Sequence, residues 1–234
     1  AEHVQHATGQ HLRVRVYRTF DEFETDLVNG LVDFAYMNPY HLLKARKAQG
    51  YQPLVRDGSR LLRGLLLVRR DSPLKSVQDL AGKTIAFPDP NAFVASLYMR
   101  ALLQEKANVR FAARYLGTHA NVYRHIILGS VAAGAGANVT YARARPETRA
   151  ELRVLYETPG VAALPLCAHP RVPVALREAV TRTVLEIDKS EDARALLKHT
   201  DLVQPVRASY ARDYQPLEQL GLEKYAVPTH LEDR

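Results

Sequence analysis

The sequence predicts an α/β protein, and three observations carry that reading. Short apolar or alternating segments trade places with stretches of helical periodicity along the chain. Asn, Pro and Gly punctuate the exchanges, as in DFAYMNPYHLL, where a β-rich run meets Asn38-Pro39 and a helical pattern that closes at Gly50. Residues 61–69, LLRGLLLVR, form a nearly continuous apolar run, suited to a central strand covered on both faces. Alternation of this kind argues for a mostly parallel sheet.

The elements follow in order. Residues 11–17 (HLRVRVY) alternate as a strand should, and residues 21–28 read as a short helix ended by Asn29-Gly30. A strand over 32–37 hands over to a helix over 39–49, with Asn38 as its cap and Pro39 at its first position. After the 61–69 strand come a Ser-Pro turn, a short helix to Leu80, a stop at Gly82 and a strand over 83–87. A loop over 88–91 leads into a helix reaching about residue 105; a strand over 114–116, a loop over 117–120 and a helix over 121–128 repeat the pattern. The small residues of AAGAGAN, 132–138, suggest a strand end and loop set tightly against another element or a ligand. A helix over 146–152, strands over 152–157 and 164–167, and amphipathic helices over 173–187 and 192–198 complete the pattern; residues 199–234 show little periodicity.

Composition narrows the class. With 234 residues, 47% hydrophobic and 24% charged, the chain is long enough for one large domain or two lobes with their own cores. No run reaches the roughly 18 apolar residues that cross a bilayer. The net charge of +7 is spread along the sequence rather than gathered into a stripe, which argues against a nucleic-acid partner and reads first as a solvated face, with an anionic ligand or surface as the weaker hint. A single cysteine, Cys167, excludes an internal disulfide and reads as a small buried hydrophobe. Arg143, Arg145, Arg149 and Arg153 read as a solvated face.

Three junctions join a strand to a capped helix: Asn38-Pro39, Asp89-Pro90-Asn91 and Thr118-His119-Ala120-Asn121. In parallel α/β sheets such junctions lie at the carboxyl ends of strands, where ligands bind, and helix N-termini there present free N–H groups and a positive dipole end. Taken singly, each is a capped helix and no more. Tyr36, Tyr40 and His119 tilt the balance, because they add directional hydrogen bonds beside those termini. Packed histidines outnumber functional ones, so only its loop position marks His119 among the nine in the chain. His3, His6 and His11 match no strong metal spacing, and no G-x-S-x-G, phosphate-loop lysine, H-E-x-x-H or dinucleotide fingerprint is present. The reading is therefore a non-enzyme without a metal or cofactor.

The order of four segments resembles the periplasmic phosphate/phosphite/phosphonate-binding proteins of ABC importers. They are GLVDFAYMNPYH at 30–41, LLLVRRDSP at 65–73, DLAGKTIAFPDPN at 79–91 and GTHAN at 117–121, and the similarity covers most of residues 11–190. The resemblance implies a type II periplasmic-binding-protein fold in which two α/β lobes close over a small ligand. Residues 1–75 and 160–234 would form one lobe, without the family's first strand, and 76–159 the other. Carried over by position, His119 matches the family's histidine and Asn91 the loop entering its anion-binding helix, while Asn138 falls near an acidic position. The departures are Ala92-Phe93-Val94-Ala95, where the family has small hydroxyl residues, and Phe20 and Leu62 near positions of aromatic hydroxyls.

The expected ligand-binding residues are thus Tyr36, Asn38, Tyr40, Asn91, Ala92, Phe93, Thr118, His119 and Asn138. Each lost hydroxyl removes a charged hydrogen bond worth about 1.5–3 kcal/mol. A more apolar or aromatic ligand, or a small oxyanion held by backbone alone, then fits better than methylphosphonate. The resemblance places the chain in the periplasm or another extracytoplasmic space, free or membrane-anchored, with an ABC permease as partner. The alternative is the extracytoplasmic input domain of a signalling protein such as a histidine kinase.

Overall fold

The computed structural model describes residues 2–187 and 202–227. The chain divides into two units, one from Ala1–Leu61 and Ala162–Gln219, the other from Leu62–Val161 and Leu220–Arg234. In chain order, the first unit opens with α1 (Glu2–Thr8), α2 (Phe20–Val28), β1 (Phe34–Tyr36), α3 (Pro39–Gln49) and β2 (Gln52–Asp57). The second unit contributes β3 (Gly64–Arg69), β4 (Thr84–Phe87), α4 (Tyr98–Ala101), β5 (Ala112–Tyr115), α5 (His119–Ile127), β6 (Ala133–Ala137), α6 (Asn138–Ala142), α7 (Pro146–Ala150) and β7 (Leu152–Glu157). The chain returns to the first unit with β8 (Pro165–Ala168), α8 (Val174–Leu185) and β9 (Pro205–Arg207). Helical turns follow over 210–225, the last of them in the second unit.

The first unit's sheet has the order β1-β8-β2-β9, and every pair is antiparallel. Its core gathers Leu27, Met37, Leu42, Tyr51, Cys167 and Tyr214, so Cys167 is the packed hydrophobe that the sequence suggests. Tyr214 Oη donates to the Ala163 carbonyl at 2.8 Å from inside this core. Its neighbour Asp213 accepts from Arg56 Nη2 at 3.1 Å and from Arg212 Nη2 and the Ser209 N–H, each at 2.8 Å.

The second unit's sheet has the order β5-β4-β6-β3-β7. Strand β4 runs parallel to β5 and β6, whereas β3 is antiparallel to β6 and β7. Alternate residues of β3 feed two cores, Leu66 and Val68 packing with Met99 and Leu103, Leu65 and Leu67 with Val122 and Ile126. Burial on both faces explains the continuous apolar run without parallel neighbours. From sequence this strand falls within the first lobe's span; its ladder partners belong to the second unit.

Several expectations change. The mostly parallel sheet becomes one antiparallel and one mixed sheet, because β8 returns after the whole 62–161 segment and pairs by direction of return rather than through a local crossover. Residues 11–17 form no strand: alternation alone supplies no partner edge, and Val14 and Val16 remain 68% and 87% exposed. Arg15 Nη1 and Tyr17 Oη instead converge on Asp26 Oδ2 of α2. Strand β2 escapes the sequence reading because Pro53 interrupts it, and the register shifts between Pro53 and Val55 to admit that proline. The 132–138 stretch is not a strand end: its residues 133–137 are the fully buried β6, and Asn138 opens α6. The helix read over 192–198 lies outside the described residues.

Gly64 is held where a side chain has no room. A Cβ there would lie 2.3 Å from the Val94 carbonyl oxygen, and that oxygen belongs to backbone. Gly64→Ala should cost about 2 kcal/mol or more by overpacking, read as a lower urea midpoint. Asp213 gives a pH-dependent prediction. Burial raises its pKa, but hydrogen bonds from Arg212, Arg56 and the Ser209 N–H outweigh that and hold it well below the usual carboxylate range. An acid held low contributes stability above about pH 4 and loses it as pH falls toward the lowered value. Asp213→Asn should therefore be less stable than wild type at pH 7, with the gap in urea midpoint narrowing as pH drops below 4.

Candidate functional site

The parallel strands β5, β4 and β6 bring three chain segments to one edge of the second unit's sheet. Phe87 and Tyr115, the last residues of β4 and β5, are paired in register, and the Leu116 N–H donates to the Phe87 carbonyl at 2.9 Å. From these ends the chain reaches Ala92-Phe93 and Thr118-His119; β6, also parallel to β4, ends directly before Asn138. This carboxyl edge is where open α/β sheets place their ligands.

At the first segment a helical path runs over residues 93–106. It begins and ends in wide turns, Leu97 N–H donating to Ala92 O and Ala107 N–H to Leu102 O, each at 3.0 Å. Wide turns of this kind are frequent at functional sites. No side chain caps the start, so the first-turn N–H groups, which lack intrahelical acceptors, are left to other partners. Phe93 is buried and stacks on Tyr98 with ring centroids 6.0 Å apart. Asn91 is buried and committed: its Nδ2 donates to Val227 O at 2.9 Å, and its Oδ1 accepts from Val227 N–H at 3.0 Å. Ser96, one residue past the Ala92–Ala95 stretch, holds a buried hydroxyl without a partner among the described residues. The sequence reading stopped one position short of it.

At the second segment Thr118 accepts from the Asn121 N–H at 3.1 Å and is the N-cap of α5. His119 is therefore the first helical residue rather than part of a loop. Its Nε2 is buried without a hydrogen-bond partner among the described residues, and burial lowers its pKa, so the ring is neutral at pH 7. Tyr123, one turn on, lies 6.3 Å away by ring centroids and also holds a buried hydroxyl without a partner among the described residues. At the third segment Asn138 is tied to Arg63, the residue before β3: its Oδ1 accepts from the Arg63 N–H at 3.1 Å, and its own N–H donates to Arg63 O at 2.9 Å.

The first unit's junction is a helix start of ordinary build. Asn38 Oδ1 accepts from the His41 N–H at 2.8 Å, Pro39 opens α3, and Gly50 closes it at φ 77°. Tyr36, at the end of β1, is 42% exposed, while Tyr40 is buried with Lys44 Nζ 5.8 Å from its ring centroid. His41 is a core histidine: it is buried, its Nε2 is 3.0 Å from Glu24 Oε1, and Phe23 meets its ring edge-on. Lys44 holds the other Glu24 oxygen. Burial raises the Glu24 pKa, yet His41 and Lys44 together bring it below its usual value. This link between α2 and α3 spans about twenty residues and has no local sequence signal.

A family model described as "ABC transporter, phosphonate, periplasmic substrate-binding protein" matches residues 1–214. The chain belongs to this family. The family member shares its fold with PhnD1 from Prochlorococcus marinus in complex with methylphosphonate, at TM-score 0.81 and 14% identity over 97% of this chain and 90% of that one. A binding-protein component of an ABC phosphonate transporter from Pseudomonas aeruginosa gives 0.79 and 16%, over 95% and 78%. A Xanthomonas citri protein bound to ATP gives 0.81 and 18%, over 96% and 90%. No curated protein matches the chain. The fold is thus the type II periplasmic-binding-protein fold, and this family consists of periplasmic substrate-binding proteins rather than enzymes. Among the described residues, no helix is long and apolar enough to cross a membrane.

Removing the α5 cap should be felt at His119. Thr118→Ala is expected to lower stability by about 1 kcal/mol in chemical denaturation, and Thr118→Ser to restore most of it, because Ser keeps the hydroxyl that accepts from Asn121.

Proposed function

We propose that the chain is the solute-capturing component of an ABC importer and that its ligand is a small oxyanion held largely by main-chain N–H groups. The observation that carries this reading is the uncapped helix start at Ala92-Phe93, on the same strand edge as His119 Nε2, which has no partner among the described residues. A helix start of this kind favours negative charge without a lysine. His119, neutral and buried at one ring nitrogen, adds a donor directed by its tautomer rather than by charge.

We assign the nine candidate residues different roles. Ala92 and Phe93 are assigned as backbone donors and His119 as the side-chain contact. Thr118 and Asn138 set the loop geometry through their hydrogen bonds, and Asn91 does so through Val227. In the first unit Tyr36 is exposed at the end of β1, and Asn38 and buried Tyr40 shape the helix start that follows it. A permease is the family's partner, and no described residue favours a signalling partner over it.

The test is a thermal-shift and calorimetry series with phosphate, phosphite, methylphosphonate, sulfonates and aromatic acids. At least one phosphorus oxyanion should raise the melting temperature; stabilisation by apolar compounds alone would sink the oxyanion reading. His119→Ala should weaken the best anion about tenfold, the equivalent of one hydrogen bond of about 1.4 kcal/mol, with a melting temperature near that of wild type. A collapse of the fold instead would make His119 a core residue.

A further inference from the structure

The second unit is completed by the last described stretch of chain. The turn Leu222–Tyr225 lies against the helical path of residues 93–106. There Tyr225 Oη donates to Glu105 Oε1 at 2.8 Å, and Lys224 Nζ is 3.9 Å from the same oxygen. Two residues on, Val227 pairs with the Asn91 side chain as one strand pairs with another, giving its N–H and accepting at its carbonyl. Arg100 completes the fastening. Its Nη2 donates to both the Pro90 and the Tyr225 carbonyls, each at 2.6 Å, so one guanidinium nitrogen ties the loop before the helix to the returning chain.

Arg100 is an unusual residue for that task. It is 7% exposed, yet it forms no ion pair among the described residues, and its Nε is buried without a partner. Its guanidinium carbon lies 5.7 Å from the centroid of Tyr115, the last residue of β5, which sets the charge at the carboxyl edge of the sheet. Asp89 acts on it only at longer range and directs Oδ1 to the Asn91 N–H at 2.7 Å. A buried cation without a counter-ion is costly, and an arginine does not relieve the cost by losing its proton. An anion arriving at that edge does relieve it.

We propose that Arg100 and residues 222–227 form a latch that positions the 89–92 loop at the helix start and leaves there a positive charge that no ion pair among the described residues neutralises, so that anion binding and ordering of the returning chain are coupled. The inference rests on the oxyanion reading above. Arg100 and Asn91 are positioning residues: Arg100 acts through Pro90 and through its field, Asn91 through Val227. Coupling of this kind is reciprocal, so the anion should tighten the latch by the same factor as the latch tightens the anion.

The experiment uses the full chain and the variants Arg100→Gln, Arg100→Lys and Asn91→Ala, with inorganic phosphate, phosphite and methylphosphonate as probes in titration calorimetry. Hydrogen exchange at the Val227 amide is followed in parallel. Wild type should bind at least one probe, and a saturating probe should slow Val227 exchange. Arg100→Gln should lose at least tenfold in affinity together with that slowing; Arg100→Lys should recover part of the affinity through its charge. Asn91→Ala, with Arg100 intact, should show faster Val227 exchange and weaker binding. Unchanged affinity in a folded Arg100→Gln overturns the latch, as does Val227 exchange that ignores the probe. If Arg100→Gln does not fold, unchanged affinity in Asn91→Ala overturns it. A wild type that binds none of phosphate, phosphite and methylphosphonate defeats the oxyanion reading itself and the latch's ligand role with it.

Discussion

The second unit depends on a close approach that only glycine permits. A Cβ on Gly134 would lie 2.5 Å from Val122 Cγ1, and one on Gly136 would lie 2.8 Å from Tyr123 Oη. Because both are glycine, α5 settles directly on β6 and buries Val122, Tyr123 and Ile126 against the sheet. The strand is then a flat floor for the helix, and the first turn of α5 emerges level with the strand ends. The placement of His119 is a consequence of two missing methyl groups fifteen and more residues away.

In the proposed site, ligand capture would be decided by which polar groups at that edge remain uncommitted. Thr118, Asn91 and Asn138 look like ligand residues by type, yet each directs its side chain to backbone: Asn121, Val227 and Arg63. Among the described residues, the groups without such obligations include the first-turn amides after Ala92, the buried Nε2 of His119 and the buried hydroxyls of Ser96 and Tyr123. A donor set built from main chain is indifferent to mutation of the side chains that carry it. That is why Ala92-Phe93-Val94-Ala95 is compatible with a helix start that still favours anions.

How much of this was readable in advance depended on the range of the interaction concerned. Local signals served well: Asn38, Pro39 and Gly50 bound α3 as expected, since cap, first-turn proline and left-handed closing glycine all act within one turn. The end of β4 was also placed, and that of β5 to within one residue, because each run is short and punctuated. Pairing was not readable. Residues 11–17 have a strand's alternation but no ladder, and β2 has a ladder despite Pro53. At the site, His119 stood out through its neighbours in sequence, whereas the commitment of Asn91 to a residue 136 positions away had no local trace. The family resemblance reached the fold correctly because the order of motifs encodes topology, which composition and periodicity do not.

The first unit's sheet carries a consequence in time. Phe34 pairs with Ala168 and Val55 with Leu166, so its second and third strands in spatial order come from opposite sides of the 62–161 segment. During synthesis β1 and β2 have no strand between them until β8 leaves the ribosome. By then all of β3 to β7 is available to form its own sheet. Folding that inner sheet first shortens the effective loop between residues 61 and 162, and so reduces the entropy cost of closing the outer one. The chain's arrangement therefore makes the sheet of residues 62–161 the natural first folder, with β8 and the returning stretch at 222–227 added once that segment is already compact.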